Sequence, residues 1–453
     1  MQGLPTRREL ATLLRLSGPL VIVNVGHQLM GLVDTALAGR VDTVTLAAVG
    51  LGNTLYFFIA VFGMGVVMAV DPLASQAYGA GRERHARRAM WQGVWAGLAT
   101  VPFVVAVNVA LAAGLEGLGI NPGLAATTRA YIHARLPSLP FFFILVAQRT
   151  YLQAAHRTAP LVASTVAANL FNFGAAWVLL FGEPRLGLPP LGAAGLGIAT
   201  SAATLLQCVW LAFSVRRLSA GEGAEPVRRL DPALLRTIFR LGIPIGLQFM
   251  AEGGIFTVVG FLAGRMGDAQ MAAHQVAISF AALTFMVPLA VGTATSVQVG
   301  RAVGAGDAEG VRRSGAAGFF LGGGFMAGAA LVLALFAEPV ARLMTLEAQV
   351  VPIAAGLLRI AAVFQLFDGI QAVGSGALRG AGVTRWAMIA NVVAYWVVGF
   401  PVSAWLGLIL GLGPHGLWWG LTVGLAVAAA ALVAKFVATA RRPIVALEPR
   451  ETS

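Results

Sequence analysis

The first half of the chain returns in the second at a constant offset, which restricts the fold to one built from two copies of a single design. Arg15-Leu16-Ser17-Gly18-Pro19 recurs as Arg240-Leu241-Gly242-Ile243-Pro244, Leu37-Ala38-Gly39-Arg40 as Leu262-Ala263-Gly264-Arg265, and Gly79-Ala80-Gly81 as Gly304-Ala305-Gly306. Each pair is 225 residues apart, and Arg87-Arg88 still meets Arg312-Arg313 at that spacing. A register kept without a gap over so long a stretch is no accident of composition. The copies differ in their buried charges, because His27 falls on Glu252 and Asp34 on Val259. Shared positions build the scaffold, so the unshared charges are where function is expected.

The solvent for this design is lipid. Hydrophobic residues make up 58% and charged residues 11% of the chain, and the mean hydropathy is +0.81, against roughly 25% charged residues in a soluble domain. Apolar stretches of about 20 residues, the length that crosses a bilayer core as a helix, recur along the whole sequence. They predict twelve spans, near 13–36, 45–70, 89–114, 127–152, 159–181, 191–215, 236–262, 270–296, 314–337, 350–376, 384–406 and 416–439. The fold class is an all-α integral membrane protein with six spans per repeat. Strands are excluded, since open sheets are not tolerated in lipid and these runs are too long and unalternating for a barrel. An even number of spans per copy gives the halves parallel topology, related by a pseudo-two-fold along the membrane normal.

A net charge of +12 does not mark a nucleic-acid face, and no nucleic-acid partner is expected. Arg7, Arg8, Arg82, Arg84, Arg87, Arg88, Arg149, Arg157, Arg216, Arg217, Arg228, Arg229, Arg301, Arg312, Arg313, Arg379, Arg385, Arg441 and Arg442 are assigned to the even-numbered connections and the termini. The odd connections hold little beyond Arg40, Arg185, Arg265 and Arg342. By the positive-inside rule both termini and the central loop face the cytoplasm, where the arginines meet anionic membrane lipids. The lone Cys208 cannot form an intrachain disulfide and reads as a small buried hydrophobe. Met1 to Arg8 and the apolar run that follows superficially resemble a secretory signal, but that run is the first span of the repeat, so an uncleaved segment is expected.

The predicted organisation is an N-terminal six-helix lobe over 1–217, a cytoplasmic linker over 218–231, a C-terminal lobe over 232–442 and a polar tail over 443–453. Glycines such as Gly322-Gly323-Gly324 read as close helix packing, with hinging the alternative. Pro19 and Pro244 fall early in the matched first spans, where proline favours a bend.

Of the nineteen acidic residues, only Asp34, Asp71, Glu252 and Asp368 fall within or at the edge of a span. A carboxylate in hydrocarbon costs at least roughly 2.5 to 3.5 kcal/mol, so such groups usually face a cavity and bind or relay something. Asp71, next to Pro72 at a span edge, is read either as functional or as a snorkelling or capping residue. His27 lies two turns before Asp34 on one helix face, either packed and neutral or part of a proton path. Glu252 and Asp368 lie in the first and fourth spans of the second half. If those spans line one cavity, the two carboxylates either share a proton or bind a small hard cation through oxygen ligands.

Gly18-Pro19 with Leu32-Val33-Asp34-Thr35-Ala36-Leu37-Ala38-Gly39, Gln76-Ala77-Tyr78-Gly79-Ala80-Gly81-Arg82, Met250-Ala251-Glu252, and Phe367-Asp368 with Gly376-Ala377-Leu378-Arg379-Gly380 resemble the multidrug and toxic compound extrusion transporters, most closely their NorM branch. The resemblance covers roughly residues 10–440. It implies two six-helix lobes in a V around a central cavity, and an antiporter of the bacterial inner membrane. Sodium or proton entry then drives export of lipophilic or cationic organic compounds by alternating access, and a monomer is expected. It also implies that Glu252 and Asp368 form the second-lobe cation site, that Asp34 is the first-lobe aspartate, and that Asn172 and Thr200 are its polar partners. Sodium at Asp34, or at Glu252 and Asp368, is the only metal expected, with no catalytic residue and no cofactor beyond the coupling ion. Two positions depart from the family pattern: Ala176 stands where a second Asn or Asp is frequent, and Phe364 where a Tyr is common.

An intramembrane enzyme is not expected, since the chain has no His-Glu-x-x-His or Gly-x-Ser-x-Gly and its six histidines lack ligand spacing. A lipid-linked oligosaccharide flippase of related architecture is the alternative, but its kind often carries added C-terminal spans or a cationic cavity. The acidic spans here favour cationic cargo.

Overall fold

Helix formation in lipid is obligatory wherever backbone must satisfy its own hydrogen bonds, and the chain obeys this along nearly its whole length. The computed structural model describes residues 5–218, 228–442 and 446–447. Most of the expected linker at 218–231, and the expected tail apart from 446 and 447, lie outside the described residues. The first half comprises α1 (Arg7–Ala38), α2 (Thr43–Val67), α3 (Val70–Gly79), α4 (Glu83–Gly114), α5 (Pro122–Arg135), α6 (Ser138–Ala154), α7 (Ala159–Phe181) and α8 (Gly192–Leu218). The second comprises α9 (Pro232–Met266), α10 (Asp268–Ala305), α11 (Ala308–Met344), α12 (Val350–Gly380), α13 (Thr384–Val392), α14 (Phe400–Ala404) and α15 (Gly413–Ala440). Two π-helical stretches, Val393–Gly399 and Trp405–Ile409, flank α14. Among the described residues eleven helical stretches are long and apolar enough to cross a bilayer, and α5 with α6, bent by 49°, makes a twelfth. The protein is a multi-pass membrane protein, and the twelve expected spans each find their helix.

The helices pack as two compact units, each drawing on both halves of the chain. One contains residues 1–21, 71–82 and 247–453, the other residues 22–70 and 83–246. Both first helices, α1 and α9, therefore pass from one unit into the other. In each the passage falls three residues beyond its proline, Pro19 or Pro244. Proline removes a ladder hydrogen bond at the same point in both copies.

In the unit holding α10 to α15, the repeat motif Gly-Ala-Gly explains itself. A Cβ on Gly79 would run into the backbone of Arg301, and one on Gly304 into the backbone of Gln76. Residues 76 and 301 are themselves 225 apart, so α3 and the end of α10 cross reciprocally through matched positions. The third residue of each motif, Gly81 or Gly306, takes a positive φ of 72° or 73°, a conformation that favours glycine at a helix end. Beside this crossing Asp71 of α3 meets Arg379 of α12 at 3.3 Å, the side chains 2% and 8% exposed. Asp71 thus neither snorkels nor stands alone. The Gln76 amide donates to the Gly380 carbonyl at 3.0 Å and accepts from the Leu447 N–H at 2.9 Å. Further along, Gly376 and Gly380 of α12 face the backbone of Gly292 and Ser296 of α10, the small-residue packing that lets helices approach in membranes. Gly322 packs likewise on Val373, whereas Gly323 and Gly324 face open space, so packing accounts for only the first of the three.

In the other unit, the early turns of α9 lie against α2, with Gly242 on the backbone of Val66 and Gly246 on that of Phe62. The apolar core includes Leu37, Val49, Ile132, Leu180 and Leu196.

Candidate functional site

Three helices of the second unit bring Asp34, Asn172 and Thr200 together. Asp34 on α1 is 3% exposed. The Thr200 hydroxyl on α8 donates to its Oδ2 at 2.6 Å, and the Asn172 amide on α7 donates to Thr200 Oγ1 at 3.3 Å. These residues are distant in sequence, so only the fold closes the site. Two buried oxygens, Asp34 Oδ1 and Asn172 Oδ1, are left without a hydrogen-bond partner. Buried acceptors with nothing to accept from are costly, and a proton or a small hard cation would satisfy both.

Arg135, from the end of α5, interacts electrostatically with Asp34 and was not anticipated. Its guanidinium donates to Asn53 Oδ1 at 2.5 Å and to the Tyr131 hydroxyl at 3.1 Å, and it stacks 4.2 Å from the centre of the Tyr56 ring. An arginine in the middle of the expected fourth span was the available signal. Ala176, one turn beyond Asn172, is fully buried in the apolar core, so this position offers no oxygen to the site.

The other unit holds the acidic pair. Glu252 on α9 and Asp368 on α12 interact electrostatically. Gln371, one turn after Asp368, lies beside Glu252 and donates to Asn391 Oδ1 at 2.8 Å. Tyr395, 1% exposed, lies beside both carboxylates. The π-helical stretch that begins at Val393 carries this tyrosine, as such bulges often do at functional sites. Its hydroxyl and Gln371 Oε1 lack partners. Phe364, expected as the site of a lost hydroxyl, instead packs edge-on against Phe256 and Trp418, with ring centres 6.1 and 5.6 Å away. The hydroxyl near the acidic pair comes from Tyr395, which sequence spacing did not single out.

Two further residues have settled surroundings. The His27 ring donates through Nδ1 to the Val23 carbonyl at 2.8 Å, within its own helix. Arg149, assigned to a connection in the sequence, lies inside α6. Among the described residues no three His, Cys, Asp or Glu side chains cluster as a metal site. The acidic sites offer oxygens from carboxylates, amides and hydroxyls, the donor set suited to hard cations.

Comparison with known proteins places this architecture. The family model described as MatE matches residues 19–178 and 244–405, most of both repeats. The chain belongs to the MatE family. It is 35% identical to the probable multidrug resistance protein NorM of Rhodopseudomonas palustris, over 95% of this chain and 92% of that protein. It is 32% identical to the multidrug resistance protein PmpM of Pseudomonas aeruginosa, over 97% and 94% of the two chains. The same fold is seen in the eukaryotic MATE transporter AtDTX14, with TM-score 0.86 and 20% identity over 96% of this chain and 98% of that one. It is also seen in the Vibrio cholerae MATE transporter VcmN, with TM-score 0.85 and 22% identity over 96% and 97%. Within this MatE protein, then, the intramembrane carboxylates sit in a transporter scaffold.

Proposed function

We propose that this protein is a secondary antiporter that exports lipophilic organic cations in exchange for sodium ions or protons. The observation that carries the reading is the pair of oxygen-rich sites built on buried carboxylates, each with acceptors left open. The names of the NorM and PmpM relatives support multidrug cargo over the flippase alternative. Transport proceeds by alternating access in the bacterial cytoplasmic membrane, with both termini in the cytoplasm. The coupling ion is the only cofactor, and cargo is held by apolar burial with cation–π contacts worth about 0.5 to 2 kcal/mol each. The test is transport of ethidium into proteoliposomes with sodium and proton gradients imposed separately. Uptake indifferent to both gradients would defeat the antiport reading.

Glu252 and Asp368 act in this scheme as one site whose occupancy alternates between ion and cargo. Glu252→Gln and Asp368→Asn are each expected to remove most of the cargo binding that the double replacement removes, because coupled groups are not additive. Binding titrations of the three variants across sodium concentration and pH distinguish this from two independent sites, whose losses would add.

Tyr395→Phe separates stability from coupling. Removing a buried hydroxyl that has no partner is expected to leave thermal stability unchanged or raise it by about 1 kcal/mol, while ion dependence of transport weakens. A variant that melts earlier and keeps its ion dependence would assign Tyr395 to packing alone.

A further inference from the structure

The unit that holds α10 to α15 contains a cavity of about 510 Å³ between the first turns of α1, the last turns of α10 and the start of α11. Arg8 and Thr12 line it from α1, and Arg313, Ser314 and Ala317 from α11. Arg8 is exposed, and its side chain has no partner among the described residues.

The repeat shows how the matched place is filled in the other unit. At the 225-residue offset Thr6 falls on Asp231, Arg313 on Arg88 and Ala317 on Gln92, and those three partners interlock. Asp231 caps α9, its Oδ1 accepting from the N–H groups of Ala233 and Leu234 at 3.0 and 3.2 Å, while its Oδ2 lies 2.8 Å from the Arg88 guanidinium. Gln92 takes up the remaining room, accepting from the Asp231 N–H at 3.0 Å and donating to the Arg229 carbonyl at 2.7 Å. Thr6 keeps the cap in the first copy, its Oγ1 accepting from the Glu9 N–H at 3.3 Å. The acid that met the arginine is gone, however, and alanine stands in place of glutamine. Matched positions thus hold a carboxylate and an amide in one unit and border a cavity in the other.

Arg313 has acids nearby that do not use it up. Glu309, one turn earlier on α11, pairs with its Nη2 in a solvent-exposed contact, a kind that contributes little. Glu9 Oε1 lies 4.0 Å from Nε, and Glu9 Oε2 is held by the N–H and hydroxyl of Thr6 at 2.7 and 3.0 Å. A guanidinium carries five N–H donors, so Arg313 keeps some for a further partner. On the cavity wall Arg8 and Arg313 outnumber Glu9, and the lining is net positive.

We propose that this cavity binds a phosphate group supplied by the headgroup of a membrane phospholipid, with Arg8 and Arg313 as its charged ligands and the Ser314 hydroxyl as a further donor. Planar guanidinium forks match phosphate oxygens through paired hydrogen bonds. The depth favours a headgroup over a free ion. Leu13, the first residue of the first expected span, also lines the cavity, which therefore sits where headgroups meet acyl chains, and arginines at that level attract anionic lipid. The site is independent of what the protein exports.

The test is native mass spectrometry of the purified full chain titrated with phosphatidylglycerol, which is expected to show one lipid retained more tightly than the rest. Arg8→Gln and Arg313→Gln are each expected to weaken that lipid by roughly tenfold to a hundredfold. Diacylglycerol, which lacks the phosphate, is expected to bind all variants alike. A double variant that copies the other unit, Thr6→Asp with Ala317→Gln, is expected to lose the tight lipid and to melt no earlier than wild type, because the new acid meets Arg313 and the new amide fills the room. Loss of lipid from this variant is then not a loss of fold. Lipid affinity unchanged in the arginine variants, or lost there but kept in the double variant, overturns the site. Inorganic phosphate that binds more tightly than phosphatidylglycerol and is weakened by the same variants overturns the lipid source.

Discussion

Asp34→Asn is expected to reduce ion-driven efflux to background in cells producing normal amounts of protein. The amide keeps the size of the carboxylate and can still accept the hydrogen bond that Thr200 donates at 2.6 Å. It cannot take up a proton or balance a cation, and the unpartnered Oδ1 of Asp34 is the atom whose charge is lost. Thr200→Val, which removes the hydroxyl and preserves shape, is expected to shift ion dependence without abolishing transport. Unchanged efflux by the Asn variant would move the coupling site away from the unit that holds Asp34.

The second large effect concerns stability. Replacing either Asp71 or Arg379 alone, as Asp71→Asn or Arg379→Gln, is expected to cost about 3 to 5 kcal/mol, because each leaves a charge buried without its partner. The double replacement is expected to be much milder than the sum, since two neutral amides need no ion partner. Thermal unfolding of the four proteins in detergent closes this cycle. Single variants that melt with the wild type would show that the 3.3 Å pair contributes nothing to holding α3 on α12.

Much of this fold is legible in the residues. Bilayer thickness imposes the span length, and the repeat at 225 residues fixes the pairing of α1 with α9 and α3 with the end of α10. Asp34, Asn172 and Thr200 were named from a family pattern, and their side chains do converge. What escaped was set by packing that no local pattern records. Tyr395 reaches the acidic pair from a π-helical stretch, which shifts the phase of side chains relative to an α-helix. Arg149 was assigned to a connection and Arg135 was passed over, yet both lie within helices of the bent fourth span. The exchange of segments between units was also invisible, because hydropathy marks where a helix crosses and not which neighbours it meets.

The ion pair between α3 and α12 carries a consequence for biosynthesis. Asp71 leaves the ribosome 308 residues before Arg379, an interval of roughly 15 to 60 s at about 5–20 residues per second. Throughout that time the nascent first half must hold an acid at the bilayer edge with its counter-charge not yet made. Asp71 has to wait protonated or wetted by headgroups, and the segment 71–82 cannot settle into its unit until the tenth span has been threaded. Maturation of this protein is therefore timed by its second half, and a ribosome stalled before Arg379 would leave a chain whose first half is inserted but unlatched.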